Sequence, residues 1–262
     1  MTKTCLLSAT LCIASFAAET PQPKLQCEGK RFFVDGLASH CEMREFAAAF
    51  AGGIDLESAP PGAISIRGWD EPGVRIRAQV TAAAPDSWQA SQLAGEIQVK
   101  EATGVVRATG PAESNLRQWS VSYEIFVPRS ADLTAKASVG AITIEDVTGK
   151  IRCSTNVGAI QLSSVNGDVS CRTGVGALSI ALSGGRWEGP GLNVETGVGA
   201  IDLRLPDGYS AHLDLSTGLG SVTSTLPMPV RKIGLGRRVS ADLNGGGATL
   251  HGATGVGAIT VK

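Results

Sequence analysis

One short phrase constrains this chain more than any other feature. It reads "SVGAITI", "NVGAIQL", "GVGALSI", "GVGAIDL", "GLGSVTS" and "GVGAITV", with the central glycine at Gly140, Gly158, Gly176, Gly199, Gly220 and Gly257. The first three copies are 18 residues apart. After each glycine, apolar and polar residues alternate: Ile142 and Ile144 flank Thr143, Ile160 and Leu162 flank Gln161, and Ile259 and Val261 flank Thr260. Period two is the signature of strands with one buried and one wet face. Each copy holds a second such strand, in which Ile151 and Cys153 flank Arg152, and Val169 and Cys171 flank Ser170. Gly149 and Gly167 suit the turns between the two strands.

A unit of two strands cannot bury its apolar face alone. Repetition at a fixed period lets copies bury it against one another. The expected fold is therefore all-β, a β-solenoid or β-helix of stacked ~18-residue two-strand units about 4.8 Å apart. Its handedness and number of faces stay open. The residue before each Val or Leu of the phrase is Ser138, Asn156, Gly174, Gly197, Gly218 or Gly255. Gly and Asn there suit a left-handed corner. Regularity decays downstream. Extra residues enter within "SGGRWEGPGLN", at "LPDGYS" and at "LPMPVRKIGLGRR". Insertions of this kind collect on one side of a repeat array.

Four regions follow. Residues 1–18 read as a signal peptide, with Lys3, an apolar stretch from Leu6 to Phe16, and small residues Ser15 and Ala17 before the cut. Residues 19–45 form a polar segment holding Cys27 and Cys41. Residues 46–136 are an irregular N-terminal part of the solenoid with one short helix, "PDSWQASQLAGE", capped by Asp86. Residues 137–262 are the regular array. No later segment approaches the ~20 apolar residues that span a bilayer. The mature chain is expected to be exported without a transmembrane segment, to periplasm, cell surface or medium.

Export places the cysteines in an oxidising compartment. A disulfide between Cys27 and Cys41 is expected. Cys153 and Cys171 occupy equivalent inward positions in adjacent copies. Side-chain directions in parallel neighbours favour two packed thiols there over a bond. The histidines His40, His212 and His251 are scattered and no CxxC occurs, so no metal site is expected, nor any cofactor. A net charge of −1 offers no field for nucleic acid.

"GAISIRGWDEPGVRIRAQV", then "VSYEIFVP", then repeats of the form T-x-x-G-x-I-x-[IVL] resemble a bacterial family of putative adhesins with β-strand repeats, a domain of unknown function. The resemblance covers roughly residues 46 to 262. It implies an exported β-solenoid. Family repeats often carry Asn before the glycine, whereas this chain carries Val or Leu, so an exposed Asn ladder is absent.

Catalysis on such a scaffold needs converging carboxylates. The candidates Asp146, Asp168, Glu188, Asp202 and Asp214 fall at differing points of the repeat, with no spacing that forces two together. Neither a G-x-S-x-G elbow nor a nucleotide-binding turn is present, and no catalytic residue is assigned. Trp187, between Arg186 and Glu188, is the candidate recognition residue, because an exposed Trp stacks on sugars or protein partners. Trp69 and Trp119 suit the core or a cap. The expected function is a non-catalytic, adhesin-like scaffold binding cell-envelope protein or glycan. A polysaccharide lyase or hydrolase is the alternative. The chain stops directly after a repeat strand, so self-association through a C-terminal edge strand is also expected.

Overall fold

A computed structural model describes residues 25–27, 36–58 and 61–262. The signal-peptide reading falls outside them. The N-terminal part comprises β1 (Ala38–Ala48), β2 (Gly53–Ser58), β3 (Ile64–Trp69), β4 (Val74–Ala84), α1 (Ser87–Glu96), β5 (Gln98–Ala102), β6 (Val105–Thr109) and β7 (Gln118–Pro128). The central part alternates longer and shorter strands: β8 (Asp132–Val139), β9 (Ile142–Glu145), β10 (Thr148–Val157), β11 (Ile160–Ser163), β12 (Asn166–Val175), β13 (Leu178–Ala181), β14 (Gly191–Val198) and β15 (Ile201–Arg204). The C-terminal part adds β16 (Ala211–Ser224), β17 (Val230–Ile233), β18 (Gly236–Leu243) and β19 (Thr249–Val261). Among the described residues no helix is long and apolar enough to cross a membrane.

The 18-residue period sets parallel, in-register pairing. One inward column runs Leu56, Ala135, Cys153, Cys171, Val194, Gly252, Leu215 across neighbouring strands. A second runs Ile64, Ile142, Ile160, Leu178, Ile201, Ile259, Val222. Both columns are buried in one apolar core, and each Ile or Leu in it contributes roughly 1.5–3 kcal/mol through loss of water contact. Gly252 leaves a gap in the first column, which the Leu215 side chain fills.

The solenoid expectation is nevertheless corrected. The strands form one mixed sheet that curls into a nearly closed barrel, not a stack of successive units. Two departures account for this. Antiparallel pairs β1–β4, β4–β7, β5–β6, β16–β18 and β17–β18 flank the parallel region at both ends. The chain order is also broken: β19 inserts between β14 and β16, and pairs parallel with both. A repeat motif specifies which residues meet in a neighbour, and every copy offers an equivalent neighbour. It therefore leaves the order of copies and the closure of the sheet undetermined.

The insertion of β19 also removes the open C-terminal edge. The last strand is paired on both sides, so self-association through it has no free backbone to use. The open edges on this side, among the described residues, are β17, which pairs only with β18, and β16 beyond Thr217, which pairs only with β19.

The corner after each long strand explains the repeated Thr and Gly. Gly140, Gly158, Gly176, Gly199, Gly220 and Gly257 have φ between +144° and +154°. A Cβ on Gly158 would lie 1.9 Å from the Gly140 carbonyl oxygen, so no other residue fits so close an approach. The left-handed position is thus this glycine, not the earlier Gly or Asn expected from the sequence. The buried Thr hydroxyls complete the corner. Thr173 Oγ1 donates to the Gly158 carbonyl at 2.9 Å, Thr196 to Gly176 at 3.0 Å and Thr254 to Gly199 at 2.9 Å.

Cys153 and Cys171 are joined as a disulfide, with Cα atoms 4.5 Å apart. The thiol expectation is therefore corrected. Direct in-register partners project their side chains from the same face at a separation within the range a disulfide spans.

Candidate binding site

The corner that buries Thr turns the next side chains outward. Val139, Val157, Val175, Val198, Val256 and Leu219 stand in register on successive strands. Each remains 45–51% exposed. Thr and Val are separated by one residue yet face opposite environments, because the backbone breaks out of the pleat before the left-handed glycine. Each apolar side chain is partly covered by its neighbours in the ladder and open on its outer side. The ridge spans five inter-strand steps, about 24 Å at the usual strand spacing.

Beside the ridge runs a groove of about 530 Å³ floored by Gly174, Gly197, Gly255 and Gly218. At these four glycines an added Cβ would lie 2.6–2.7 Å from a neighbouring carbonyl oxygen, so a side chain there needs the backbone to shift. Arg172 and Glu195 form the groove's polar side, paired at 2.7 Å. The site therefore sets an apolar ridge beside a neutralised charge pair.

The outward face of the long strands is polar. Three adjoining depressions share Arg152 as a lining residue. Arg152 is held by Asp168, with Nη2 donating to the carboxylate at 2.5 Å and Nη1 to its carbonyl at 2.6 Å. That hydrogen bond holds the Asp168 carboxyl below its ordinary range.

The candidate carboxylates face cations and not one another. Asp168 meets Arg152, Glu188 meets Arg186, Asp202 meets Arg204 and Lys262, and Asp214 meets Arg238. Asp146 occupies a left-handed turn at φ 57° and lies near Arg129. No group of three metal-ligating side chains occurs among the described residues.

One constellation escapes the sequence because its members are far apart in the chain. Asp242 Oδ1 lies 2.7 Å from His212 Nδ1, and His212 Nε2 lies 3.4 Å from Ser240 Oγ. The antiparallel β16–β18 pairing sets His212 opposite Asp242 and Asp214 opposite Ser240. The order matches orienting acid, base and nucleophile. Its setting does not, since Asp242 is 68% exposed and the three stand on an open strand surface. Helix α1 packs against β1 and β4, not against β16 or β18.

The sequence-assigned recognition residue is placed differently from expectation. Trp187 is buried, 4% exposed, and its indole N–H donates to the Gly167 carbonyl at 2.9 Å. The extension folds back and uses Trp187 to cover the core, so its ring is not available for stacking. Arg186 and Glu188 flank it at the surface, 3.7 Å apart. Trp69 and Trp119 are also buried. The exposed indole is that of Trp88 on α1, at 70%. Cys27 and Cys41 are bonded, with Cα atoms 5.6 Å apart.

No family model matches the chain, and no curated protein matches it. Among solved structures it is similar to a putative cell adhesion protein from Clostridium sporogenes, at 14% identity and a TM-score of 0.42, covering 84% of this chain and 99% of that one. A putative adhesin from Bacteroides fragilis shares 11% identity at a TM-score of 0.34, with 85% and 97% coverage. A putative lipid binding protein from Parabacteroides distasonis shares 12% at 0.31, with 85% and 96% coverage. At this distance, what those proteins bind says nothing of this chain.

Proposed function

We propose that this chain is an exported, non-catalytic, adhesin-like scaffold that binds a protein segment along the valine corner. The observation that carries the reading is the in-register ridge from Val139 to Leu219, kept half exposed in all six copies. A solvated corner needs no apolar side chain, and Thr has the same shape and β-propensity as Val. Contiguous exposed apolar surface edged by polar groups marks an interaction site. Its apolar character favours a protein ligand over a glycan, whose hydroxyls need hydrogen-bonding partners. Export rests on the basic, apolar and small-residue order of the first 18 residues.

The test uses a Val157→Thr/Val175→Thr/Val198→Thr variant, which keeps shape and removes apolar surface. Panning a displayed peptide library on the unaltered protein is expected to enrich peptides with apolar side chains. The variant is expected to bind them at least tenfold more weakly at an unchanged melting temperature. Equal binding by both proteins, or ligands found only on a glycan array and indifferent to the variant, would overturn the reading.

A further inference from the structure

The extension "LPMPVRKIGLGRR" forms the β17–β18 hairpin, and its composition is unlike the rest of the chain. Gly234, at φ 60°, takes the first central position of a two-residue turn, with Leu235 after it and Ile233 paired to Gly236. The tip is apolar and open: Ile233 is 58% exposed and Leu235 is 75% exposed. Behind it stand four cations. Arg231 lies directly opposite Arg238, and Lys232 directly opposite Arg237.

Like charges in directly opposed strand positions destabilise a hairpin, yet this one carries two such pairs. No acidic residue occurs between Asp214 and Asp242. Among the described residues Arg238 pairs with Asp214, while Arg231, Lys232 and Arg237 form no ion pair. The hairpin thus presents apolar groups at its tip and unneutralised positive charge on both of its faces. A free polyanion would satisfy the cations and leave Ile233 and Leu235 in water. An apolar protein groove would cover the tip and leave the cations unpaired. One surface matches both features at the right order of depth: apolar interior beyond a layer of negative charge.

We infer that the β17–β18 hairpin docks on an anionic phospholipid surface, with Ile233 and Leu235 entering the acyl boundary and Arg231, Lys232 and Arg237 at the headgroups. The inference does not rest on the peptide-binding reading. The hairpin turns beside the last member of the valine ridge, with Gly236 against Thr217 and Gly218, so the two sites need separate readouts.

The experiment is vesicle co-sedimentation of the mature protein. Phosphatidylcholine mixed with phosphatidylglycerol is compared with phosphatidylcholine alone, at low and high salt. Binding is expected only to the anionic vesicles, and it weakens with salt. Each surface cation is worth roughly fivefold in partition, so Arg231→Glu/Lys232→Glu is expected to lower binding by tenfold or more. Ile233→Ser/Leu235→Ser is expected to lower it similarly at an unchanged melting temperature. The Val157→Thr/Val175→Thr/Val198→Thr variant is expected to bind vesicles normally. Failure of the unaltered protein to bind anionic vesicles overturns the inference. So does undiminished binding by the Ile233→Ser/Leu235→Ser variant, particularly if dextran sulfate is bound equally well, because the site would then be a plain polyanion site.

Discussion

The central strands β8–β15 and the C-terminal segment β16–β19 are built from the same corner motif, but they use it differently. Within the central region successive copies are spatial neighbours, so chain order and spatial order coincide there. In the C-terminal segment β19 pairs with β14 and β15 on one side and with β16 on the other. The corner contacts are indifferent to this reversal. Thr254 reaches the Gly199 carbonyl at 2.9 Å as Thr173 reaches Gly158, and Thr217 reaches Gly257 at 3.1 Å. The motif is therefore a contact rule between neighbouring strands, and the topology is decided elsewhere. Here β18 pairs antiparallel with Ala211–Thr217 on one side of β16, and β19 takes the other side along His212–Ser224.

The sharpest way to break this equivalence is at the corner glycines. Gly158→Ala places a Cβ 1.9 Å from the Gly140 carbonyl at a φ of +151°, with a parallel neighbour on each side. A loss above ~4 kcal/mol is expected from the combined clash and backbone strain. Gly220→Ala meets the Gly257 carbonyl at the same 1.9 Å. The β18 ladder, however, stops at Thr217, so the β16 corner is free to shift on one side and about half that loss is expected. Urea denaturation measures both. Equal losses would show that the end strand is held as firmly as the central ones.

Trp187→Ala tests whether the insertion within the central region serves the core or a ligand. The buried ring and its bond to Gly167 predict a loss of roughly 3–5 kcal/mol. Peptide binding at the valine corner is expected to persist at temperatures where the variant stays folded. Lost binding at unchanged stability would instead place recognition in residues 183–190.

What was legible in the chain was local. The alternation of Ile, Leu and Val fixes which side chains are buried, because a strand turns every second residue the same way. Neighbour pairing and register follow from the 18-residue spacing. Sheet closure and the place of β19 did not follow, since copies with the same motif compete equally for any neighbour. The valine ridge was written in the motif, but an alternating pattern does not say where the backbone leaves the pleat. Trp187 was misleading because an indole between two charged residues suits either a surface or a returning loop. Trp88 was the more readable case. Ala90, Leu93 and Ala94 define the buried stripe of α1, and Trp88 lies off it. His212, Ser240 and Asp242 met only through the antiparallel register of β16 and β18, which no repeat encodes.

A smaller comparison uses the Thr hydroxyls. Thr173→Val in the central region and Thr217→Val at the end strand each remove one donor and leave a glycine carbonyl without it. Losses of about 1–2 kcal/mol are expected, larger for Thr173, which is fully buried, than for Thr217, which is 6% exposed and nearer solvent. Denaturant midpoints distinguish them. If Thr217→Val costs as much as Thr173→Val, the hairpin shields the end corner as well as a parallel strand does.

The smallest effect at neutral pH is expected from Tyr209→Phe, just ahead of β16. The Tyr209 side chain is buried, and its hydroxyl has no hydrogen-bond partner among the described residues. Removing it costs little and is expected to leave stability within about 1 kcal/mol of the unaltered protein, with a gain if the hydroxyl is truly unpaired. Alkaline pH separates the two proteins. Burial, with a further contribution from the Glu188 charge, pushes the Tyr209 phenol up from its ordinary value near 10 to about 12. As pH rises past 10 the unfolded chain releases this proton while the folded chain retains it. Stability therefore falls between pH 10 and 12, because fewer protons are bound in the unfolded state. Tyr209→Phe has no such proton to lose, so its melting temperature is expected to fall less over that window. Parallel declines would mean that the phenol is already open to solvent, and that the entry to β16 is looser than the central copies it joins.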